Sequence, residues 1–116
     1  MIAFNAAPPQ GTVRDWLDQQ ASTRGEQIAY RFTDGAADLS WASLRDVAHA
    51  RAQGLTALGM TKGESLAVMM PNGRAALETL FAGLCGGFRV TMINLAAGND
   101  AITYAFKHCE ARFACV

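Results

Sequence analysis

Ser65-Leu-Ala-Val-Met-Met70, closed by Pro71-Asn72 and followed after a helical stretch by Phe88-Arg-Val-Thr-Met-Ile93, decides the fold. The first run is apolar without alternating, which is the pattern of a strand buried on both faces. Behind it, Leu77, Leu80, Phe81 and Leu84 fall at i, i+3, i+4 and i+7, so they share one helical face, and Gly86-Gly87 ends the pattern. Seventeen residues separate Met70 from Phe88, more than the dozen or so that a parallel crossover requires. A further cycle follows: Asn99 or Asp100 can cap a helix carrying Ile102, Ala105, Phe106 and Cys109 on one face, leading into Arg112-Phe-Ala-Cys-Val116. The expected fold class is α/β, a partial parallel sheet with right-handed crossover helices.

Upstream, Ser40 can cap a helix with Leu44, Val47, Ala48, Leu55 and Leu58 on one side, and Gly59 stands where a left-handed residue is wanted. Before it, Ile28, Tyr30 and Phe32 alternate, then Asp34-Gly35 turns the chain toward Leu39-Ser40, which reads as a small N-terminal β-hairpin. Thr12-Val-Arg-Asp15 has capping-box form, and Val13, Trp16, Leu17 and Ala21 then share a face of a first helix reaching about Thr23. Residues 1–11, with Pro8 and Pro9, read as an irregular lead-in, and residues 12–116 as the folded unit.

The chain has 116 residues, 51% of them hydrophobic and 17% charged. That excludes a disordered chain and falls below the ~25% charge of an ordinary soluble domain. Ten basic against ten acidic residues give no net charge, so no basic field is available for nucleic acid or an anionic membrane. Residues 1–64 hold 13 of the 20 charged side chains and residues 65–116 only 7, which predicts an interior second half. No stretch approaches the ~20 apolar residues of a membrane span, and no basic residue precedes Arg14 as a secretory signal requires. A cytoplasmic location is expected. Cys85, Cys109 and Cys115 are odd in number and lack a C-x-x-C pair, so they read as reduced core residues.

Several segments carry residue types that chemistry could use. Met60-Thr-Lys-Gly-Glu-Ser65 lacks the order of a phosphate-binding loop and leads into a strand, so it reads as an exposed turn. Gly83, Gly86 and Gly87 lie at a helix end, where packing and helix termination need them, and not between strand and helix as a dinucleotide loop demands. His108 and Cys109 are adjacent and point about 100° apart on a helix, so they form no nucleophile–base pair, and Cys109 reads as core. His49 lies off the apolar stripe of its helix and reads as solvated, with no ligand spacing for a metal. Trp16 and Trp41 sit near helix starts and read as anchors.

Four segments in order carry a resemblance: Leu39-Ser-Trp-Ala-Ser-Leu44, Leu58-Gly-Met-Thr-Lys-Gly-Glu-Ser-Leu-Ala-Val-Met-Met-Pro-Asn72, Ala82-Gly-Leu-Cys-Gly-Gly-Phe-Arg-Val-Thr-Met-Ile-Asn94 and Tyr104-Ala-Phe-Lys-His-Cys-Glu-Ala-Arg-Phe-Ala-Cys-Val116. From Thr12 onward the chain resembles the N-terminal part of the AMP-forming acyl-CoA synthetases, within the adenylate-forming enzymes. It departs from them at Met92 and Leu95, where that family usually has prolines around the Asn. In this setting Asn72 is expected to cap the helix behind it.

The resemblance implies a full-length parent that uses ATP and magnesium to join a carboxylic acid to AMP, then transfers the acyl group to coenzyme A, as in fatty acid metabolism. Its Ser/Thr/Gly-rich loop ending in Pro-Lys-Gly, its ribose-binding acid and its C-terminal lysine have no counterpart in these 116 residues. No catalytic, cofactor-binding or metal residue is therefore assigned, and no cofactor is expected in this chain. The expected partners are the remainder of the parent polypeptide, the parent's small carboxylic acid and, through an exposed sheet edge, a second copy. The alternative is a stand-alone, non-catalytic binding or interaction protein derived from the same fold. The apolar terminus at Val116 makes a front piece of a longer protein the expectation.

Overall fold

Helix α1 (Val13–Arg24) begins on the expected box: the Thr12 hydroxyl accepts from the Asp15 N–H, and the Asp15 carboxylate accepts from the Thr12 N–H. In this computed structural model, which describes residues 10–116, those bonds hold the Asp15 carboxyl below its ordinary range, the Thr12 backbone N–H first and its hydroxyl second. Most of the lead-in lies outside the described residues. Strands β1 (Ile28–Tyr30) and β2 (Leu39–Ser40) pair antiparallel with a register shift. Phe32 lies beyond the paired strand. Helix α2 (Trp41–Ala57) is capped by Ser40, whose hydroxyl accepts from the Ser43 N–H.

Strand β3 (Ser65–Val68) is buried along its whole length, as its unbroken apolar run requires. Helix α3 (Arg74–Gly86) ends at Gly87, whose φ of +78° supplies the left-handed cap. Strand β4 (Arg89–Met92) leads through a 3-10 turn, Leu95–Ala97, into helix α4 (Asn99–His108) and strand β5 (Phe113–Cys115). The sheet is parallel in the order β4-β3-β5, with Leu66 opposite both Val90 and Phe113.

Two buried clusters hold these layers. Leu17, Leu39, Leu44, Ala48, Phe81 and Cys85 join the first three helices and the hairpin, while Met60, Leu66, Val68 and Phe88 lie between sheet and helices. Trp16 and Trp41 anchor their helices on the first cluster, edge to face at 5.4 Å. An aromatic pair in that geometry adds about 1 kcal/mol beyond its buried area.

Several expectations change. Leu58 is 72% exposed, because it falls past the end of α2, and Ala52 joins Leu44 and Ala48 on the buried side. On α3 the expected stripe is buried at Phe81 and half-buried at Leu77 and Leu80, but Leu84 is left exposed; Ala76, Thr79, Ala82 and Gly83 are buried as well, small residues that let the helix approach the sheet. The residue before α3 is Gly73 and before α4 Gly98, each without a side-chain cap, so neither Asn72, Asn99 nor Asp100 caps a helix. Asn94 does cap, accepting from the Ala96 N–H in the 3-10 turn. The charge-poor second half is not wholly interior: α4 has no fully buried residue and Val116 is 79% exposed.

Cysteine burial is also uneven. Only Cys85 is a core residue; Cys109 and Cys115 are half-buried, because they end α4 and β5 near the open side. Burial, reinforced by the nearby Asp18 carboxylate, pushes the Cys85 thiol up to about 11. A thiol reagent at pH 8 is therefore expected to leave Cys85 unmodified in the folded chain and to reach it only in urea, since the thiolate is the reactive form. Mass mapping of labelled peptides reads this directly.

Candidate functional site

The chain leaves β3 through Met69-Met70-Pro71-Asn72-Gly73. The Met69 N–H still donates to the Cys115 carbonyl and the Ile93 N–H to the Val68 carbonyl. Pro71 has no N–H to continue the ladder, so the backbone lifts off the sheet there. From β3 the path runs to β4 on one side, and from β4 it returns past β3 to β5 on the other. The direction of travel across the sheet thus reverses about the central strand β3, and open α/β sheets hold their ligands at the carboxyl ends of strands where the order reverses.

Two cavities flank this loop. One, of about 420 Å³, lies toward β4 and is lined by Met70, Pro71, Asn72, Met92, Ile93, Asn94, Leu95 and Ala96. The other, of about 400 Å³, lies toward β5 and is lined by Asp34, Ala36, Met70 to Ala75 and Val116. Met92 and Leu95, the two departures from the family's prolines, both stand on the first wall and are about half exposed.

Beneath the second cavity a charged network fixes the wall. The Arg74 guanidinium donates to Glu78 Oε1 at 2.7 Å and to the Ala37 carbonyl at 3.1 Å. From α2, Arg51 donates to Glu78 Oε2 at 2.7 Å and to the Thr79 hydroxyl at 2.9 Å. One buried carboxylate thereby ties the hairpin, α2 and α3 together at the carboxyl end of the sheet. Spacing alone did not reveal it; the only signal was a glutamate and an arginine at i and i−4 on an otherwise apolar helix.

The candidate residues of the sequence fall elsewhere. Thr61 to Glu64 form an exposed turn, in which the Thr61 N–H holds the Glu64 carboxyl below its ordinary range with help from Arg112; Met60 beside it is buried. Gly83 and Gly86 are packing positions against Val90 and Phe88. The His108 ring stacks on Tyr104 at 3.8 Å with Nδ1 2.9 Å from the Tyr104 carbonyl, while the Cys109 thiol donates to the Phe106 carbonyl. Each is engaged along its own helix. His49 is not solvated: its Nε2 lies 3.0 Å from Asp18 Oδ1, and both atoms are shielded between α1 and α2, close in distance yet outside hydrogen-bond alignment. A periodicity argument could not see this, because α1 supplies the cover.

Among the described residues no group of three or more His, Cys, Asp or Glu side chains is placed to hold a metal ion. Arg74, the basic residue on the crevice wall, is committed to Glu78. These donors by themselves do not fit magnesium or a triphosphate, and no chemical step is assigned to them.

The fold is α/β, with two clefts at the carboxyl ends of its strands, and matches the N-terminal part of an adenylate-forming domain. The chain belongs to the AMP-binding enzyme family, whose model matches residues 17–116. No curated protein matches it in sequence. Among solved structures it is similar to the N-terminal domain of FACL13 from Mycobacterium tuberculosis, with 21% identity and a TM-score of 0.82 over 89% of this chain and 26% of that one. It is likewise similar to the anthranilate CoA ligase AuaEII bound to anthranoyl-AMP, with 18% identity and a TM-score of 0.82 over 93% of this chain and 20% of that one. A third is the o-succinylbenzoate CoA synthetase MenE of Bacillus subtilis with its acyl-adenylate, with 21% identity and a TM-score of 0.79 over 86% and 26%. The chain therefore spans 26% of the FACL13 and MenE chains and 20% of the AuaEII chain. No described helix is long and apolar enough to cross a membrane.

Proposed function

We propose that this chain is the front scaffold of an ATP-dependent acid–CoA ligase and provides one wall of its cleft. Such an enzyme replaces the charge of a carboxylate, which repels nucleophiles, with AMP as leaving group, then lets the coenzyme A thiol displace it. The substrate class is a carboxylic acid, fatty acids included. The observation that carries this reading is the match of the AMP-binding model over residues 17–116, on a parallel sheet whose order reverses about β3. ATP, magnesium and coenzyme A belong to the whole enzyme, which we place in the cytoplasm. The remainder of such a polypeptide is the partner for the crevice and for the free edge of β5, which in isolation would pair with a second copy.

Alone, the 116-residue chain is expected to release no pyrophosphate in response to added acid. The discriminating experiment is a chimaera in which it replaces the matching segment of a CoA synthetase such as the Bacillus subtilis enzyme. Acid-dependent pyrophosphate release by the folded chimaera supports the proposal. A folded but inactive chimaera, or activity in the chain alone, contradicts it.

A further inference from the structure

Side chains alternate along a strand, so the two faces of the sheet carry different sets. Leu66, Val68, Val90, Phe113 and Cys115 belong to one buried cluster, on the face that α3 approaches, since Gly83 stands against Leu66 and Val90. Thr91, Ala67 and Ala114, in register across the three strands, therefore point to the opposite face. The chain steps from β3 out to β4 through α3, then back past β3 to β5 through α4. Right-handed crossovers taken in opposite directions lie on opposite faces, so α4 belongs to the face of Ala67. Its cover is incomplete. Ala67 is fully buried and Thr91 half-buried, but Ala114 is exposed, and Ile102, Ala105 and Phe106 on the apolar side of α4 are each only half-buried.

We propose, resting on the function given above, that the open half of this face, Ala114 with the adjoining side of α4, is the seat of an amphipathic helix from the remaining polypeptide of an adenylate-forming enzyme. A parallel sheet carries helices on both faces. A parallel strand following β5 at its free edge continues the direction of the step from β4 to β5, so its right-handed crossover lands on the face of α4, over Ala114. The seat matches such a helix in chemistry. Ala67, Thr91, Ala114, Ile102 and Phe106 include no charged side chain, so an apolar stripe can cover them without desolvating a charge. The small side chains of Ala67 and Ala114 let a helix axis come close, as Ala82 and Gly83 of α3 do on the other face. The chain matches only 26% of the FACL13 chain and 20% of the AuaEII chain, so enzymes of this kind have ample further chain to supply the helix.

The chimaera carrying Ala114→Cys, compared with the chain alone carrying the same change, tests this. A thiol reagent followed by mass mapping is expected to label that position freely in the chain alone and at least about ten-fold more slowly in the chimaera, because burial removes reagent access. Ala114→Glu is tolerated at an exposed site, so the chain alone should keep its Trp16–Trp41 ring contact, seen as an NMR cross-peak. In the chimaera the same change buries an unpaired charge and should lower acid-dependent pyrophosphate release more than about ten-fold. Equal labelling in an active chimaera, or undiminished activity of its Ala114→Glu form, overturns the proposal and leaves the function standing. So does protection in the chain alone that grows with its concentration, which makes a second copy the occupant. A folded but inactive unsubstituted chimaera overturns both.

Discussion

Replacing Glu78 by alanine is expected to lower stability by about 2–4 kcal/mol, the largest loss for any single polar side chain of this fold. Its side chain is 7% exposed and takes two guanidiniums, each at 2.7 Å. Breaking a buried ion pair costs about 3–5 kcal/mol because the partner is left uncompensated. Arg51 and Arg74 are 40% and 35% exposed, so water recovers part of that loss and sets the lower figure. The thermal midpoint should fall by roughly 10–15 °C at about 4 °C per kcal/mol. Glu78→Gln, which keeps an acceptor and the shape, should lose roughly half as much. Urea titration at constant slope measures both; a Glu78→Ala loss under about 0.5 kcal/mol would refute the role assigned to the network.

Gly83 sets the second large effect. A Cβ at this position would overlap a γ-methyl of Val90 and touch Leu66, so α3 could not keep its distance from the sheet. In a free helix, alanine would be worth about 1 kcal/mol more than glycine. Overpacking of a close contact costs about 1–3 kcal/mol, and here it wins. Gly83→Ala is expected to destabilise by about 1–2 kcal/mol and Gly83→Leu by about 3 kcal/mol or more. Val90→Ala alone removes two methyl groups and should cost about 1 kcal/mol. Combined with Gly83→Ala it relieves the overlap, so the double variant should be more stable than the two losses added together. Simple additivity would show that the helix moves aside instead.

The helix and strand frame was legible because burial writes a period into the sequence. Ser65 to Val68 is buried on both faces and shows no alternation, and Thr12, Ser40 and Gly87 punctuate helices where their chemistry predicts. What failed were choices that depend on a neighbouring element. The buried side of α3 follows the closeness of β4, which favours Gly83 over Leu84, a matter of size rather than polarity. His49 looked solvated because Asp18 stands 31 positions away on another helix. Asn72 looked like a cap because asparagine usually is one, yet the structure begins α3 one residue later.

The crevice was less legible than the frame. Its walls are made where strands stop, and which strand ends lie side by side depends on the order β4-β3-β5, which parallel periodicity leaves open. Met70 and Asn72 line both cavities, whereas the sequence marked them only as a strand end and a helix cap. The sequence did mark Met92 and Leu95 as departures from the family, and these two fall on the wall of one cavity.

The pairing of Leu66 with Val90 on one side and Phe113 on the other also fixes the chain-entropy cost of assembling the sheet. The second closure spans about twice as much chain as the first, and each doubling of loop length costs only about 0.6 kcal/mol. Distance along the chain is therefore a minor penalty for β5. Its firmness is set by shallow burial instead, with Ala114 exposed between half-buried Phe113 and Cys115, so the outer strand is the part of the sheet that opens first and the central strand the part that opens last.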